Sequence, residues 1–384
     1  MIETKNARSE KRLAEIAVAF LRLGFVAFGG AAAHIALMEE EFVRRRGWLS
    51  REEFVDRVGA VNLLPGPSST ELAIYLGHLR GGTPGLLIAG AAFILPAAFM
   101  TLAMAWAYVR YGALPQIAGL LWGVKPVVVV LIAQAVWTLG KTALKSRELT
   151  VIAAIVLGLA AMHVATLALL IGTGVAWIVA NRFGEKRAAQ NVAVAAASVA
   201  GGAATAAAVT TAGVFVYFLK IGALLFGSGY VLLAVLREDL VTRMHWLTET
   251  QLLDGIAVSQ ATPGPFFTVA TFLGYVLSGW RGAALGTAGM FVPAFVYVAV
   301  TASVLPRLRK SPAASTFLDG VNAAAVALMA FVGFQFAQGA VVTPLAVVIA
   351  LVSAVLMFRY RVNSAWLILG GAVCGLVVKF AGAG

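Results

Sequence analysis

Long apolar runs separated by short charged stretches set the rhythm of this chain. Gly85–Ala107, Val124–Leu139 and Leu345–Phe358 hold almost no charge. Each is long enough to cross, or nearly cross, a hydrocarbon core about 30 Å thick. Five apolar segments are read in a first half: Leu13–Met38, Gly85–Val109, Leu114–Gly140, Val151–His163 and Ala165–Asn181. Five more follow in a second half: Val209–Leu236, Gly282–Leu305, Thr316–Gln338, Val342–Phe358 and Ala365–Phe380. They lack the period-two alternation of barrel strands, so helices are predicted. Shorter segments, Arg51–Leu64 and Pro67–Leu79, flank a Pro-Gly-Pro break and would each be about 20 Å long as helices. Proline ends a helix on either side of the glycine. The break therefore reads as a re-entrant hairpin with its tip in the membrane, or as one broken spanning helix. The expected fold is an all-α polytopic membrane protein with about ten spans and two re-entrant helical hairpins. The broken-helix reading gives twelve to thirteen spans.

Composition agrees with the pattern. The chain is 61% hydrophobic and 12% charged, with a mean hydropathy of +0.91, whereas soluble domains carry about 25% charged residues. The net charge of +12 does not point to nucleic acid, since most Lys and Arg residues sit at the ends of apolar segments and no basic run is interleaved with aromatics. The single cysteine, Cys374, allows no internal disulfide, and no cleavage site follows the first apolar run. Catalytic readings do badly. His34, His78, His163 and His245 have no metal-ligand spacing, and no phosphate-binding loop or nucleophile elbow is present. ATP-driven transport would need a partner subunit.

The two halves repeat one another. FLRLGFVAFGG at Phe20–Gly30 returns as FLKIGALLFGS at Phe218–Ser228, a shift of 198 positions. At that shift Trp48-Leu49-Ser50 meets Trp246-Leu247-Thr248, Asp56 meets Asp254, and Pro65-Gly66-Pro67 meets Pro263-Gly264-Pro265. One residue is then lost, and Leu76-Gly77 pairs with Leu273-Gly274 and Pro96-Ala97 with Pro293-Ala294. Loop charges reverse between the halves. Lys141, Lys145 and Arg147 mark one first-half loop and Arg182, Lys186 and Arg187 another, while the intervening ends hold Arg110 and His163. In the second half the Arg110 position carries Arg307, Arg309 and Lys310, the His163 position carries Arg359 and Arg361, and Gly339–Thr343 carries no charge. Lys and Arg mark the cytoplasmic side, so equivalent loops face opposite sides. Such inverted-topology repeats place a substrate site near the bilayer midplane. The domain reading is a first repeat over 1–187, a linker over 188–208 and an inverted repeat over 209–384.

The Pro-Gly-Pro break carries the clearest candidate chemistry. A helix starting at Pro67 or Pro265 has free amides and partial positive charge at its first turn. At membrane depth that end suits an anion, with hydroxyls of Ser68, Ser69 and Thr70 as further donors. The second copy keeps only Thr268 after Phe266-Phe267. A simple kink would explain a lone proline; the repetition favours a site. Arg22 and Lys220 occupy one repeat position. A mid-membrane charge costs at least about 2.5 kcal/mol, so they read as counter-ions for substrate, against snorkelling to the interface. Gly24, Phe28, Gly29 and Gly30, matched by Gly222, Phe226 and Gly227, fit either local unwinding or close helix packing. Glu71, one turn past the break, and His34 are candidates for proton coupling. Lys125 and Asn322 pair across the repeat. Glu40 and Glu41, beside Arg44–Arg46, and Glu238 and Asp239, beside Arg243, read as surface ion pairs. Trp48 and Trp246 read as interfacial anchors.

The ordered blocks FLRLGFVAFGGAAAHIALMEEEFV, GWLSREEFVD and NLLPGPSSTELAIYLG, with their second-half echoes, resemble the chromate ion transporter family in its long, two-domain form. The resemblance implies an inner-membrane exporter of chromate, driven by the proton or membrane potential and giving chromate resistance, with some members linked to sulfate. Its Phe-Gly-Gly motif is Phe28-Gly29-Gly30 here, with Phe226-Gly227 in the second half, and its Pro-Gly-Pro motif is Pro65–Pro67 and Pro263–Pro265. Ser228 for Gly30 and Phe266-Phe267 for Ser68-Ser69 depart from symmetry, so the first half is expected to bind the oxyanion more directly. The expected partners are chromate or sulfate and the lipid bilayer, with a homodimer left open and no nucleic acid. No cofactor and no metal are expected. The alternatives are a transporter of sulfate or another oxyanion, and a membrane-embedded enzyme acting on phosphorylated lipids, for which no nucleophile–base pair is visible.

Overall fold

The computed structural model describes residues 2–112, 114–183, 208–226, 229–302 and 311–381, and every regular element among them is helical. The first half supplies α1 (Ile2–Val26), α2 (Gly30–Glu39), α3 (Arg51–Val61), α4 (Ser68–Tyr111), α5 (Pro115–Ala143), α6 (Arg147–Ala161) and α7 (Thr166–Phe183). The second supplies α8 (Thr211–Leu224), α9 (Val231–Leu236), α10 (Glu249–Ala261), α11 (Val269–Thr301), α12 (Pro312–Ala340), α13 (Pro344–Phe358) and α14 (Ser364–Phe380). Each helix has its counterpart seven places on. Even the π-helical turns over Glu40–Arg45 after α2 recur over Arg237–Arg243 after α9. Residues 188–207 of the expected linker lie outside the described residues, as do Gly227 and the loop charges Lys186, Arg187, Arg307, Arg309 and Lys310.

Two segments expected as continuous are broken. Leu13–Met38 divides between α1 and α2, because Gly29 (φ 102°) and Gly30 (φ 77°) take left-handed conformations that interrupt the helix. Val209–Leu236 divides at the same place, between α8 and α9. Helix α4 also reverses at Gly82 (φ 61°, ψ −151°), and α11 reverses at Gly279 with the same angles. A Cβ on Gly77 would lie 2.5 Å from the Gly85 carbonyl oxygen, although a straight helix holds residues 77 and 85 about 12 Å apart. The limbs 68–81 and 83–111 are therefore antiparallel neighbours, sealed where neither has a side chain. Gly274 and Gly282 seal α11 in the same way, and Thr271 Oγ1 meets Thr287 Oγ1 at 2.7 Å.

The Pro-Gly-Pro segment forms another reversal. The Arg57 guanidinium lies 5.7 Å from the centre of the Tyr75 ring. These residues stand eight places before Pro65 and eight after Pro67, each about 12 Å along its own helix. A straight broken helix would carry them out of reach of one another. Helix α3 and the first limb of α4 thus form a hairpin with Pro65–Pro67 at its tip, and the broken-helix alternative does not hold there.

The helices gather into two compact units, each drawing on both halves. Unit 1 is Met1–Ala107, Thr210–Leu224 and Val258–Lys310; unit 2 is Tyr108–Val209, Leu225–Ala257 and Ser311–Gly384. In unit 1, α1 packs on α4 and α8 on α11 through Gly24 and Gly222. A Cβ on Gly24 would meet the Ala92 and Phe93 carbonyl oxygens at 3.0 Å, and one on Gly222 would meet that of Gly289 at 3.1 Å. In unit 2, α5 packs on α14, and its counterpart α12 packs on α7. Gly119 and Gly123 face Gly371 and Gly375, and a Cβ on Gly123 would stand 2.7 Å from the Gly375 amide nitrogen. Small residues four apart let membrane helices approach this closely.

Helices α5 and α12 also pack on each other, and the pairs define their direction. Gly333 meets Ile132, Gly140 meets Val326, and Lys145 Nζ lies 2.7 Å from Asp319 Oδ1. Positions rise along α5 as they fall along α12, so these equivalent helices are antiparallel. Their relating axis crosses the helices instead of running along them, which is the geometry of an inverted repeat.

The outer surface is apolar, with Phe99 64% and Val300 70% exposed. Among the described residues, four helices are long and apolar enough to cross a membrane: Ser68–Tyr111, Ile117–Ala143, Phe266–Thr301 and Pro312–Ala340. Charged groups gather at segment ends. Glu40 and Glu41 pair with Arg44, Arg45 and Arg46, and Glu238 pairs with Arg243. Glu15 holds Arg46 and Arg80 at 3.1 Å and the Trp48 indole nitrogen at 3.0 Å. The protein is a polytopic helical membrane protein.

Candidate functional site

Both Pro-Gly-Pro tips belong to unit 1, and each docks on the first helix of the opposite half. A Cβ on Gly66 would lie 3.4 Å from the Gly222 carbonyl oxygen, and one on Gly264 would lie 3.3 Å from that of Gly24. Gly24 and Gly222 are therefore pressed between their own long helix and the other half's tip. The tip glycines are needed for a second reason, since Gly66 has φ 129° and Gly264 φ 92°, values that side-chain-bearing residues rarely adopt.

Three motifs meet at the Ala27 carbonyl, where α1 has just ended. The Gly264 amide donates to it at 2.8 Å and His34 Nε2 at 3.0 Å. A carbonyl only accepts, so Nε2 carries a proton. In the neutral ring Nδ1, 3.2 Å from Ser69 Oγ, accepts the serine hydroxyl. The Phe93 and His34 rings meet in a T-shaped contact with centroids 5.6 Å apart. His34 thus joins the Gly29–Gly30 break to the start of α4. At that break Gly29, Ala31 and Ala32 are exposed, and the first turn of α2 presents its amides.

The two tips differ in what they leave free. At the second, Thr268 Oγ1 donates to the Pro265 carbonyl at 3.0 Å, and Thr101 Oγ1 bridges Thr268 at 3.3 Å and Thr262 at 3.4 Å. At the first, Thr70 is wholly buried and its hydroxyl has no partner among the described residues. The counterpart of Thr101 is Val298, which offers no hydroxyl. Ser68 is half-buried at the head of α4. Glu71 is 0% exposed, and neither carboxyl oxygen has a hydrogen-bond partner among the described residues. Its Oε1 fits beneath the tip only because residue 66 is glycine, for a Cβ there would come within 2.9 Å.

Pro65–Glu71, Gly29, Gly30, His34 and Pro263–Thr268 are thus gathered in one region of unit 1. Arg22 and Lys220 are not. Both are exposed on the outer faces of α1 and α8, among exposed Val18, Leu21 and Phe25 on one and Val216 and Leu224 on the other. Arg57 went unnoticed in the sequence. It is half-buried on the hairpin over Tyr75, and its Nε has no hydrogen-bond partner among the described residues. The available signal was an arginine leading into the first Pro-Gly-Pro where the second half has Gly255.

Comparison with known proteins bears on what such a region handles. The profile of a family described as chromate transporter matches residues 14–180 and again 212–376, a displacement equal to that of the internal repeat. A chromate transport protein of Cupriavidus metallidurans is 31% identical over 377 residues, covering 95% of this chain and 93% of that one. One of Pseudomonas aeruginosa is 32% identical, covering 94% and 91%. An uncharacterized transporter of Bacillus subtilis is 36% identical over only 34% of this chain, which is 72% of its own length, so it is about the size of one repeat. No solved structure matches the chain.

Proposed function

The chain belongs to the chromate transporter family, and from that premise we propose that it is a secondary transporter exporting chromate across the inner membrane, driven by the proton or membrane potential and conferring chromate resistance. The duplicated halves, 1–187 and 209–384, alternate access around the region of the first Pro-Gly-Pro tip. There the oxyanion meets the opening amides of α4 and the hydroxyls of Ser68 and Thr70, with the Ser69 hydroxyl joining once it leaves His34 and the amides at Gly29–Gly30 alongside. The second tip, Pro263–Pro265 with Thr268, holds the frame, since its threonine hydroxyl is already engaged. Arg22 and Lys220 remain charge partners in this reading, and their exposure makes them outer contacts.

The observation that carries the proposal is Glu71. Burying an unpartnered carboxylate costs far more than burying the neutral acid, so this residue is suited to carry a proton beside the anion-binding helix end. Purified protein in liposomes loaded with chromate or sulfate and given a pH step tests it. Anion flux accelerated by the step is expected, with Glu71→Gln retaining the fold and losing the acceleration. No anion flux, or an unchanged response in Glu71→Gln, overturns the mechanism. Full flux in the double variant Arg22→Ala, Lys220→Ala removes the two cations from it.

A further inference from the structure

Unit 2 holds a buried ion pair that the first Pro-Gly-Pro tip does not use. Lys125 Nζ of α5 lies 3.1 Å from Asp254 Oδ1 of α10, and the Tyr108 hydroxyl at the end of α4 donates to Asp254 Oδ2 at 3.1 Å. The Asp254 side chain is 4% exposed and that of Lys125 18%. Pro126 follows directly, so α5 lacks one amide donor beside the lysine. The arrangement has no copy in the other half, because Asn322 stands where the repeat would put the lysine.

Stability does not account for such a pair. Desolvating two charges consumes most or all of what their attraction returns, and apolar side chains of equal volume serve as well. Its chemistry is that of an oxyanion site already holding an anion: an ammonium stands at ion-pair distance from one carboxylate oxygen, and a phenolic O–H donates to the other. A tetrahedral dianion presents the same oxygens with twice the charge. We propose that Lys125 and Tyr108 form a second oxyanion site, in which Asp254 is a built-in competitor. The arriving dianion displaces the carboxylate from Lys125, and Asp254 takes a proton from hydronium as it leaves. One O–H bond breaks in the hydronium, which becomes water, and one forms on Asp254, so one dianion and one proton enter together.

Two acids on and before α10 have partners of their own among the described residues. Glu249 on α10 is held by Arg237 at 3.1 Å, and Glu238 by Arg243 at 3.2 Å with His163 at 3.8 Å. Lys125 and Tyr108 face Asp254 directly from α5 and α4.

This inference rests on the protein moving an oxyanion, and its test separates the two. Chromate flux is measured in proteoliposomes over a range of pH, with sulfate as competitor. Asp254→Asn should lower the KM for chromate severalfold and flatten its pH dependence. Lys125→Gln should raise KM about tenfold or more, as loss of a charged hydrogen bond implies, and Lys125→Arg should restore it. The double variant Lys125→Gln, Asp254→Asn strands no charge, so it keeps the fold where a single variant fails, and it should share the raised KM. An unchanged KM in the double variant, or a pH dependence that Asp254→Asn leaves intact, overturns the site. Wild-type protein without flux would instead count against the transport reading. Calorimetric titration of chromate into the detergent-solubilised double variant then decides the site, with weakened binding supporting it and wild-type binding overturning it.

Discussion

At the scale of single residues, the glycines divide into two kinds of work that composition cannot separate. Gly66 needs both an unusual φ of 129° and an empty Cβ position beneath Glu71, whereas Gly82, at φ 61°, has nothing within 4 Å. Gly66→Ala and Gly82→Ala should each cost about 1–3 kcal/mol in backbone strain, with Gly66→Ala the larger because its Cβ must also displace Glu71, read as midpoint shifts in thermal unfolding in detergent. Equal shifts would show that the Glu71 contact is slack. The sequence marked the right glycines and could not say which unwind the chain and which admit a neighbour. The answer is both, at different positions: Gly29 and Gly30 break the helix, while Gly24 and Gly222 receive the opposite tips. Arg22 has an orientation that the sequence did not reveal. The buried stripe of α1 runs through Ile16, Ala19, Phe20 and Leu23, and that of α8 through Val214, Tyr217, Phe218 and Ile221. Arg22 and Lys220 fall off both stripes. Within a segment apolar on every side, no polar face exists from which to read that orientation.

At the scale of helices, the Pro-Gly-Pro break was legible because two prolines around a glycine end a helix. A hairpin and a broken spanning helix both fitted the sequence, and the contact of Arg57 with Tyr75 separates them. Around Gly82 the sequence marked a boundary between Pro67–Leu79 and Gly85–Val109 but not the reversals there and at Gly279, since glycine is common in membrane helices that do not turn. What marks them is the pair of glycines on either side, Gly77 with Gly85 and Gly274 with Gly282, whose spacing means little until the limbs are folded together. The contact of α5 with α14 rests on the same device. A Cβ on Gly123 would strike the backbone of Gly371 and Gly375, and backbone has no rotamer to yield. Gly123→Ala should destabilise by about 1–3 kcal/mol, as overpacking does. Gly158→Ala on α6, with nothing within 4 Å, should be neutral or stabilise by up to about 1 kcal/mol. Unfolding midpoints of the two variants in one detergent check the contrast. A Gly123→Ala protein as stable as its parent would mean that the two helices part readily.

At the scale of the whole chain, loop charges and helix packing reach the same conclusion by independent routes. The charges say that equivalent loops face opposite sides. The antiparallel contact of α5 with α12 says that equivalent helices run in opposite directions, and the Lys145–Asp319 pair fixes the end of α5 beside the start of α12. Each helix has 29 residues, about 43 Å at the standard rise and longer than a hydrocarbon core. Arg147, just past α5, and Gly339, at the end of α12, must then emerge on opposite faces, with the basic loop in the cytoplasm. A chain with Cys374 replaced by serine and one new cysteine at either position, treated in intact cells with a membrane-impermeant thiol reagent, tests this directly. The Gly339→Cys protein should be labelled and the Arg147→Cys protein protected until the membrane is opened. Labelling of both, or of neither, would place the two loops on one side, and an inverted pair with antiparallel helices could not span the membrane in that way.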